Sequence, residues 1–543
     1  MICKKTKIFI ATLSLLISSQ SFAEKYDIVI NNGLVIDGTR SVGKKVSIAV
    51  KDGKIAYVGS KLGLSAKRVI DAEGLVISPG YIDVHNHAES VLMQGGTLEN
   101  EGYIRQGVTT VVTGPDGYLA PKNIAQIKSY IKEKGSSTNV AAYVGQNGIR
   151  GEVMGMEPVF SNAKQLSAMK ALVKEGMELG AVGLSTGLMY PPGMYSNTEE
   201  IIELAKVAAS FGGSYDSHVR NPVHELLKSY EEAIEVGRKA DLPVKLGHVK
   251  LVGLINRDVF PKVQQLVNDA RNEGINVVSD QYPYDGAYNA WLWETIAVPK
   301  ELMPEDEKEL SRDWIASLLN DSKSRMKLRQ FNETEKDNFS WAKAVGYFSM
   351  RVVVSKEQPD LVGKHISELA IELNKSEFDV IADMVTDPNL NINITLGSVL
   401  EENVRQFLRQ PWNMISSDGE WSKASSDKVS HPRSTGSFPR VLGRYVRNEG
   451  LLDLSEAVYK MSAFPANFLG LGKRGYIREG YIADIAIFDS NTISDKSDWV
   501  HPERLSVGMK YVLVNGKLAL DNSVMTDKMS GQFVKHLRID TSN

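Results

Sequence analysis

Cysteine is almost missing: one residue in 543, Cys3, and it stands at the very start of the chain. Everything after it has no disulfide, no thiolate metal ligand and no cysteine nucleophile, so stability rests on a large core. An excess of one charge sign is missing too. Lys and Arg number 63 against 66 Asp and Glu, a formal net charge of −3. No basic run occurs outside the N-terminus, and a nucleic-acid partner is therefore not expected. A membrane-spanning run is also lacking at the N-terminus, where the apolar stretch Ile8 to Ile17 reaches only about half of a span.

That N-terminus instead has the pattern of a secretory signal. Lys4, Lys5 and Lys7 precede the apolar run, and Ser21-Phe22-Ala23 offers small residues where a signal peptidase reads. Cys3 lies before the apolar run, not where a lipoprotein cysteine would sit. Residues 1–23 are thus expected to be removed, leaving a secreted protein with no stable membrane insertion, whose compartment reads best as a bacterial periplasm. The remaining length implies one large domain with attachments, or two to three domains.

Short β-like runs open the mature chain: Tyr26 to Val35, Lys45 to Gly59 with an Asp52-Gly53 turn, and Arg68 to Ile77. A matching set returns at Ala483 to Phe488 and at Lys510 to Leu520 with an Asn515-Gly516 turn. Segments 24–77 and 475–543 together predict one small β domain, a sandwich, built from both chain ends.

Between them strands and helices alternate. Apolar runs end in Asp83-Val84-His85, Val111 to Gly114, Ala142 to Gly145, Gly183 to Thr186, Ser214 to His218, Val244 to His248, Val277 to Asp280 and Met414 to Asp418. Amphipathic segments such as Lys164 to Leu179, Thr198 to Phe211 and Pro222 to Ala240 fill the gaps. Eight such units predict an α/β fold, a (β/α)8 TIM-like barrel over 78–284 and 411–474. The stretch 285–410 is far longer than a strand-to-helix connection needs. It is read as an inserted lid subdomain between strands 7 and 8, the plainer alternative being a peripheral decoration.

Barrel chemistry sits at the C-terminal ends of the strands. His85 and His87 emerge there together, because residues i and i+2 of a strand share a face, and two neutral imidazoles so placed are ready ligands for zinc or a similar divalent ion. His218, His248 and Asp418 end strands 5, 6 and 8. His224, His365, His501 and His536 fall in helical or peripheral segments and have no such case.

These residues stand within motifs that resemble a known group. Ser78-Pro79-Gly80-Tyr81-Ile82-Asp83-Val84-His85-Asn86-His87, Gln106 to Gly114, Gly183 to Pro192 with its Tyr190-Pro191-Pro192, Ser217-His218-Val219-Arg220 and Gly247-His248-Val249-Lys250 come in order. Tyr282-Pro283-Tyr284, Ser417-Asp418-Gly419, His431-Pro432-Arg433 and Gly436-Ser437-Phe438-Pro439-Arg440 follow. Over nearly the whole mature chain the sequence resembles the amidohydrolase superfamily and, within it, the D-aminoacylase (N-acyl-D-amino-acid deacylase) family. The resemblance implies metal-dependent hydrolysis of an N-acyl-D-amino acid with one or two divalent ions, zinc first. Asp418 would be general base and then general acid, Lys250 and Tyr282 would receive the substrate carboxylate, and Arg220 would add a cation at the rim. His431 and Arg433 would line the same mouth. Trp291 and Trp293 either wall an acyl pocket or fill the core of the insertion.

One departure stands out. Where family members place a cysteine ligand, this chain has Gly114-Pro115-Asp116-Gly117. A carboxylate can bridge two hard or borderline cations, so Asp116 is a candidate metal ligand. It could equally do no more than shape a Pro-Asp-Gly turn. A carboxylated lysine from strand 4 is not available, since Gly183 to Met189 contains no lysine. An exported dipeptidase acting on D-residues, a cyclic-amide hydrolase or deaminase of the same superfamily, and a non-enzymatic binding protein are the other readings. A small-molecule substrate is the expected partner.

Overall fold

The computed structural model describes residues 26–537 apart from 62, 94–97, 287, 305–309, 335–339, 398 and 422–430. The expected signal, 1–23, lies outside the described residues. No helix among those described is long and apolar enough to cross a membrane.

Eight parallel strand positions follow one another along the chain, an α/β arrangement. They are Tyr81–Asp83, Val108–Thr113, Asn139–Ala142 continued by Val144–Gly145, Gly183–Gly187, Ser214–His218, Val244–Leu246, Val277–Gln281 and Asn413–Ile415. Each pairs with its neighbours in sequence order. The third is interrupted at Tyr143, but its ladder continues: Tyr143 N donates to Thr113 O and Val182 N to Ala142 O. The first and last strands also meet beyond their ends, where Asp418 N donates to His85 O and His87 N to Gly419 O, both at 2.9 Å. Val108–Thr113 is buried at every residue, as expected of a parallel strand covered on both faces.

The helices between strands follow their sequence signals. Ala163–Leu179 starts where Asn162 accepts from Lys164 N and Gln165 N, while the Gln165 side chain answers the Asn162 N–H. It buries Met169, Val173 and Met177, one apolar stripe at a spacing of four, and Gly180 ends it at φ 105°. The helix expected from Pro222 begins instead at Leu226 and runs to Ala240. Asn221 Oδ1 accepts from Val223 N and His224 N and caps a short turn, but Glu225 at φ −123° and ψ 37° leaves helical geometry before Leu226.

Both chain ends build two further sheets. One is four-stranded around Tyr26–Asn31; the other is seven-stranded and sets Val76–Pro79 between Leu34–Val35 and Ile485–Phe488. The sheets share a core that includes Ile30, Ile48, Ile77, Ile485 and Leu513. Asp52-Gly53 and Asn515-Gly516 both take positive φ at both residues (49° and 76°, 48° and 75°), which a two-residue type I′ hairpin requires.

The long insertion contains its own sheet of Tyr288–Trp291, Ile392–Leu396 and Met350–Ser355, with helices at Arg312–Asn320, Ser322–Glu333, Ile366–Leu373 and Glu377–Thr386. Its core holds Leu292, Leu319, Phe378 and Ile394, and also Val223 and Val252 from the loops after the fifth and sixth strands. The insertion thus packs on loops at the C-terminal ends of the array. Glu401–Leu408 differs: its Val404, Phe407 and Leu408 belong to the main core.

Candidate metal centre

The loops leaving the C-terminal ends of the strands bring six side chains together. His85 and His87 leave the first strand, and Asp116 follows the second in the turn Pro115–Gly117. His218 is the last residue of the fifth strand, His248 lies two residues past the sixth, and Asp418 lies three past the eighth. Asp116, His248 and Asp418 take φ of 58°, 35° and 47°, a left-handed region that non-glycine residues rarely occupy and that costs of order 1–3 kcal/mol each. Such strain persists where the surroundings over-determine the conformation.

The geometry is that of a convergent ligand cluster. Asp116 Oδ1 lies 3.2 Å from His218 Nδ1, 3.7 Å from His248 Nε2 and 3.8 Å from His85 Nε2, while Asp116 Oδ2 lies 3.8 Å from His87 Nε2. Asp418 Oδ1 is 3.1 Å from His87 Nε2 and 3.5 Å from His85 Nε2. Ligand atoms of His85, His87 and Asp116 lie within 4.8 Å of one another, as do those of Asp116, His218 and His248, and those of His85, His248 and Asp418. Both ring nitrogens of His85 are buried without a hydrogen-bond partner. Buried polar atoms are rarely left so, and four imidazoles with two carboxylates are a donor set that suits zinc and similar borderline cations. The residues present therefore fit a divalent ion.

Neighbours hold these ligands in place. Glu89 Oε1 lies 3.1 Å from His87 Nδ1, and its other oxygen accepts from Thr113 Oγ1. Asp83 accepts from Ser417 N at 2.8 Å, from Ser417 Oγ and from Asn86 Nδ2, tying the first strand to the eighth. Burial pushes the Asp83 carboxyl up to about 6. Burial would raise Asp418 as well, but the Arg433 guanidinium and the rings of His248 and His85 outweigh it and hold the carboxyl well below its usual range. Asp116 is held down in the same way against its burial, by His218 first. For His248, burial and then Lys250 keep the ring well below the ordinary histidine value. That favours the neutral imidazole that ligates metal.

Beside the cluster two cations meet one aromatic ring. Lys250 Nζ sits 5.3 Å and the Arg433 guanidinium 4.7 Å from the centroid of the Tyr282 ring. Arg433 Nη1 also donates to Asp418 Oδ2, and Lys250 Nζ donates to His248 O at 3.2 Å. Burial brings Lys250 down to about 8. Tyr282 donates its hydroxyl to Gly286 O at 2.9 Å. The His431 ring packs 5.5 Å from Tyr282. Its Nδ1 accepts from Arg433 N and its Nε2 donates to Gly286 O, which fixes the neutral tautomer carrying hydrogen on Nε2.

Arg220 is placed differently. It forms a two-pronged ion pair with Glu232, at 3.0 and 2.9 Å, and donates to Met194 O. Trp293 packs against the core of the insertion, while Trp291 is 38% exposed, its backbone N–H donating to Glu294 Oε2. Sequence reasoning missed Glu89, whose signal is a carboxylate two residues beyond His87. It also missed the ring of Tyr190, 4.7 Å from His218 and 6.3 Å from Tyr118.

The chain resembles known proteins over most of its length. Residues 376–519 match the group described as the amidohydrolase family. The chain is 30% identical over 516 residues to an N-acyl-D-glutamate deacylase of Alcaligenes xylosoxydans xylosoxydans, covering 91% of this chain and 93% of the relative. It is 29% identical over 540 residues to a D-aminoacylase of the same organism, covering 95% and 98%. Among solved structures, an N-acyl-D-glutamate deacylase from Bordetella bronchiseptica, complexed with zinc and a phosphonate inhibitor, superposes with a TM-score of 0.75 at 27% identity. That superposition covers 94% of this chain and all of the other. A D-aminoacylase crystal structure superposes with a TM-score of 0.74 at 29% identity and the same coverage.

Proposed function

This chain belongs to the D-aminoacylase (N-acyl-D-amino-acid deacylase) family of amidohydrolases, and from that premise we propose that it hydrolyses N-acyl-D-amino acids to a D-amino acid and a carboxylate. It is a metal-dependent hydrolase. The observation that carries the substrate reading is the pairing of the ligand cluster with Lys250 and Arg433, two cations flanking Tyr282 at its edge. A cyclic-amide hydrolase would not need a receptor for an α-carboxylate there.

His85, His87, Asp116, His218, His248 and Asp418 would hold one or two divalent ions, zinc first. When bound, such an ion polarises the amide carbonyl and lowers the pKa of water toward about 7. Lys250, Arg433 and Tyr282 bind the α-carboxylate and so orient the scissile amide toward the cluster. Asp418, kept as a carboxylate at neutral pH, accepts a proton from the attacking water as the new C–O bond forms. It returns that proton to the amide nitrogen as the C–N bond breaks, so base becomes acid within one turnover.

The fold reading that accompanies this is a closed (β/α)8 barrel with a β-sandwich from both chain ends and a lid over the mouth. It is supported by the in-order parallel register and by the bonds between His85 and Asp418. The leader-like pattern in residues 1–23 supports action in a bacterial periplasm.

Assay of the purified protein on paired N-acyl-D- and N-acyl-L-amino acids tests the proposal. A position error of about 1 Å costs on the order of a hundredfold in rate, so the D-enantiomer should be preferred by at least that factor and chelation should abolish turnover. Equal turnover of both enantiomers would remove the D-aminoacylase reading and leave the amidohydrolase standing.

A further inference from the structure

Beneath the ligand cluster, three charged side chains lie fully buried within the strand array: Asp216 on the fifth strand, Lys245 on the sixth and Asp280 on the seventh. Strand register sets Asp216 directly opposite Lys245. Lys245 Nζ lies 2.6 Å from Asp280 Oδ1 and 3.0 Å from Asp216 Oδ1. Ligand atoms of Asp216, Asp280 and His85 lie close enough together to suggest another metal site, but the Lys245 ammonium already supplies the cation between the two carboxylates. Burying two acids and one base is costly unless the arrangement does something that apolar packing cannot.

The ring of His85 indicates what that is. Its Nε2 faces the ligand cluster, 3.5 Å from Asp418 Oδ1 and 3.8 Å from Asp116 Oδ1. Its Nδ1 faces the other way, 3.8 Å from Asp280 Oδ2, and neither of these two atoms has a hydrogen-bond partner. A closure of about 1 Å brings them into hydrogen-bond range. His87 shows the finished version of this arrangement: Nε2 toward Asp418 and Nδ1 on Glu89 at 3.1 Å.

We propose that Asp280 is a positioning residue for His85. It accepts the Nδ1 hydrogen, fixing the tautomer that leaves Nε2 free for metal, while Lys245, anchored by Asp216, holds Asp280 in place. A carboxylate on the far nitrogen of a ligating imidazole orients the ring and raises its donor strength. This inference rests on the metal-dependent reading above.

Two isosteric variants separate this role from simple charge balance, because each takes one negative charge from Lys245 while Asp280 is the closer of the two to His85, 3.8 Å from Nδ1. Asp280→Asn should bind zinc 10- to 100-fold more weakly, roughly what loss of such a partner costs, as read by competition with a chelating indicator. Asp216→Asn should stay within about threefold of wild type. Equal losses in both, or an unchanged Asp280→Asn, would overturn the assignment. Should Asp280→Asn fail to fold, histidine-labelled nitrogen NMR of the zinc-loaded wild type decides the matter. The His85 signal, identified by its loss in His85→Gln, should carry hydrogen on Nδ1, and hydrogen on Nε2 would overturn the proposal. A wild type that binds no metal would sink the metal-dependent reading itself.

Discussion

Asp116→Asn is the sharpest probe of the centre, because it separates the two roles this residue could have. Asp116 occupies a left-handed backbone position at φ 58°, which asparagine tolerates nearly as well as aspartate. The Pro115–Gly117 turn should survive, because asparagine keeps the shape of the buried side chain and accepts the left-handed backbone. The metal side should not survive. Two of the three ligand groupings at the centre include Asp116, with one oxygen turned to His218 and His248 and the other to His87. At an effective dielectric constant of about 20, one unit charge against another at about 4 Å is worth roughly 4 kcal/mol. Losing that attraction corresponds to about a thousandfold weaker binding of at least one ion. Elemental analysis after dialysis against a metal buffer, with thermal melting alongside, measures both effects. The variant should still fold cooperatively in the absence of metal yet retain fewer ions, and Asp116→Cys should restore part of the loss. Full metal content and unchanged affinity in Asp116→Asn would show that the residue only shapes the turn.

Lys250 is buried, so under the proposed reading Lys250→Met removes one of the two cations, Lys250 and Arg433, that receive the substrate carboxylate. That should lower kcat/KM by about 2–4 kcal/mol, roughly 30- to 1000-fold, with metal content unchanged; an unaffected kcat/KM would remove Lys250 from the substrate site. Lys460 donates to the carbonyls of Gln410 and Asn413, and burial brings its pKa down to about 8. An unfolded lysine titrates near 10.4, so between about pH 8 and 10.4 the unfolded chain holds the extra proton and stability rises with pH, by up to about 3 kcal/mol. In urea titrations the wild type should gain on Lys460→Met by that amount across the window, whereas a pH-independent difference would refute the assignment.

The strand order and the histidines that cluster at the strand ends were legible because each is a local signal: an apolar run, a turn, and a histidine or aspartate at its end. The buried charges were not. Asp216, Lys245 and Asp280 each look like a polar interruption in an apolar run, and only register places Asp216 across from Lys245. Alternate residues of a parallel strand that closes around an interior face inward, so a polar residue there can be a deliberate contact. Arg433 was read as a mouth residue, yet its bond to Asp418 depends on how the segment after the eighth strand folds back. The late start of the helix at Leu226 has a similar origin. Pro222 looks like a good first-turn residue and Asn221 caps the turn it opens, but Glu225 at φ −123° interrupts helical geometry before Leu226.

The seven-stranded sheet has a consequence for the order in which the chain assembles. Val76–Pro79 runs directly toward His85 and His87 of the candidate centre, yet its antiparallel partner Ile485–Phe488 lies about 400 residues later. Such a distant pairing forms only after a costly closure and tends to be slow. During synthesis, every ligand from His85 to Asp418 emerges before that strand does. A product cut short just before residue 485 would therefore retain all six side chains of the candidate metal centre and still present Val76–Pro79 with one side of its ladder bare. Unpaired edges of this kind recruit other chains, so premature termination should yield aggregate rather than a smaller working enzyme.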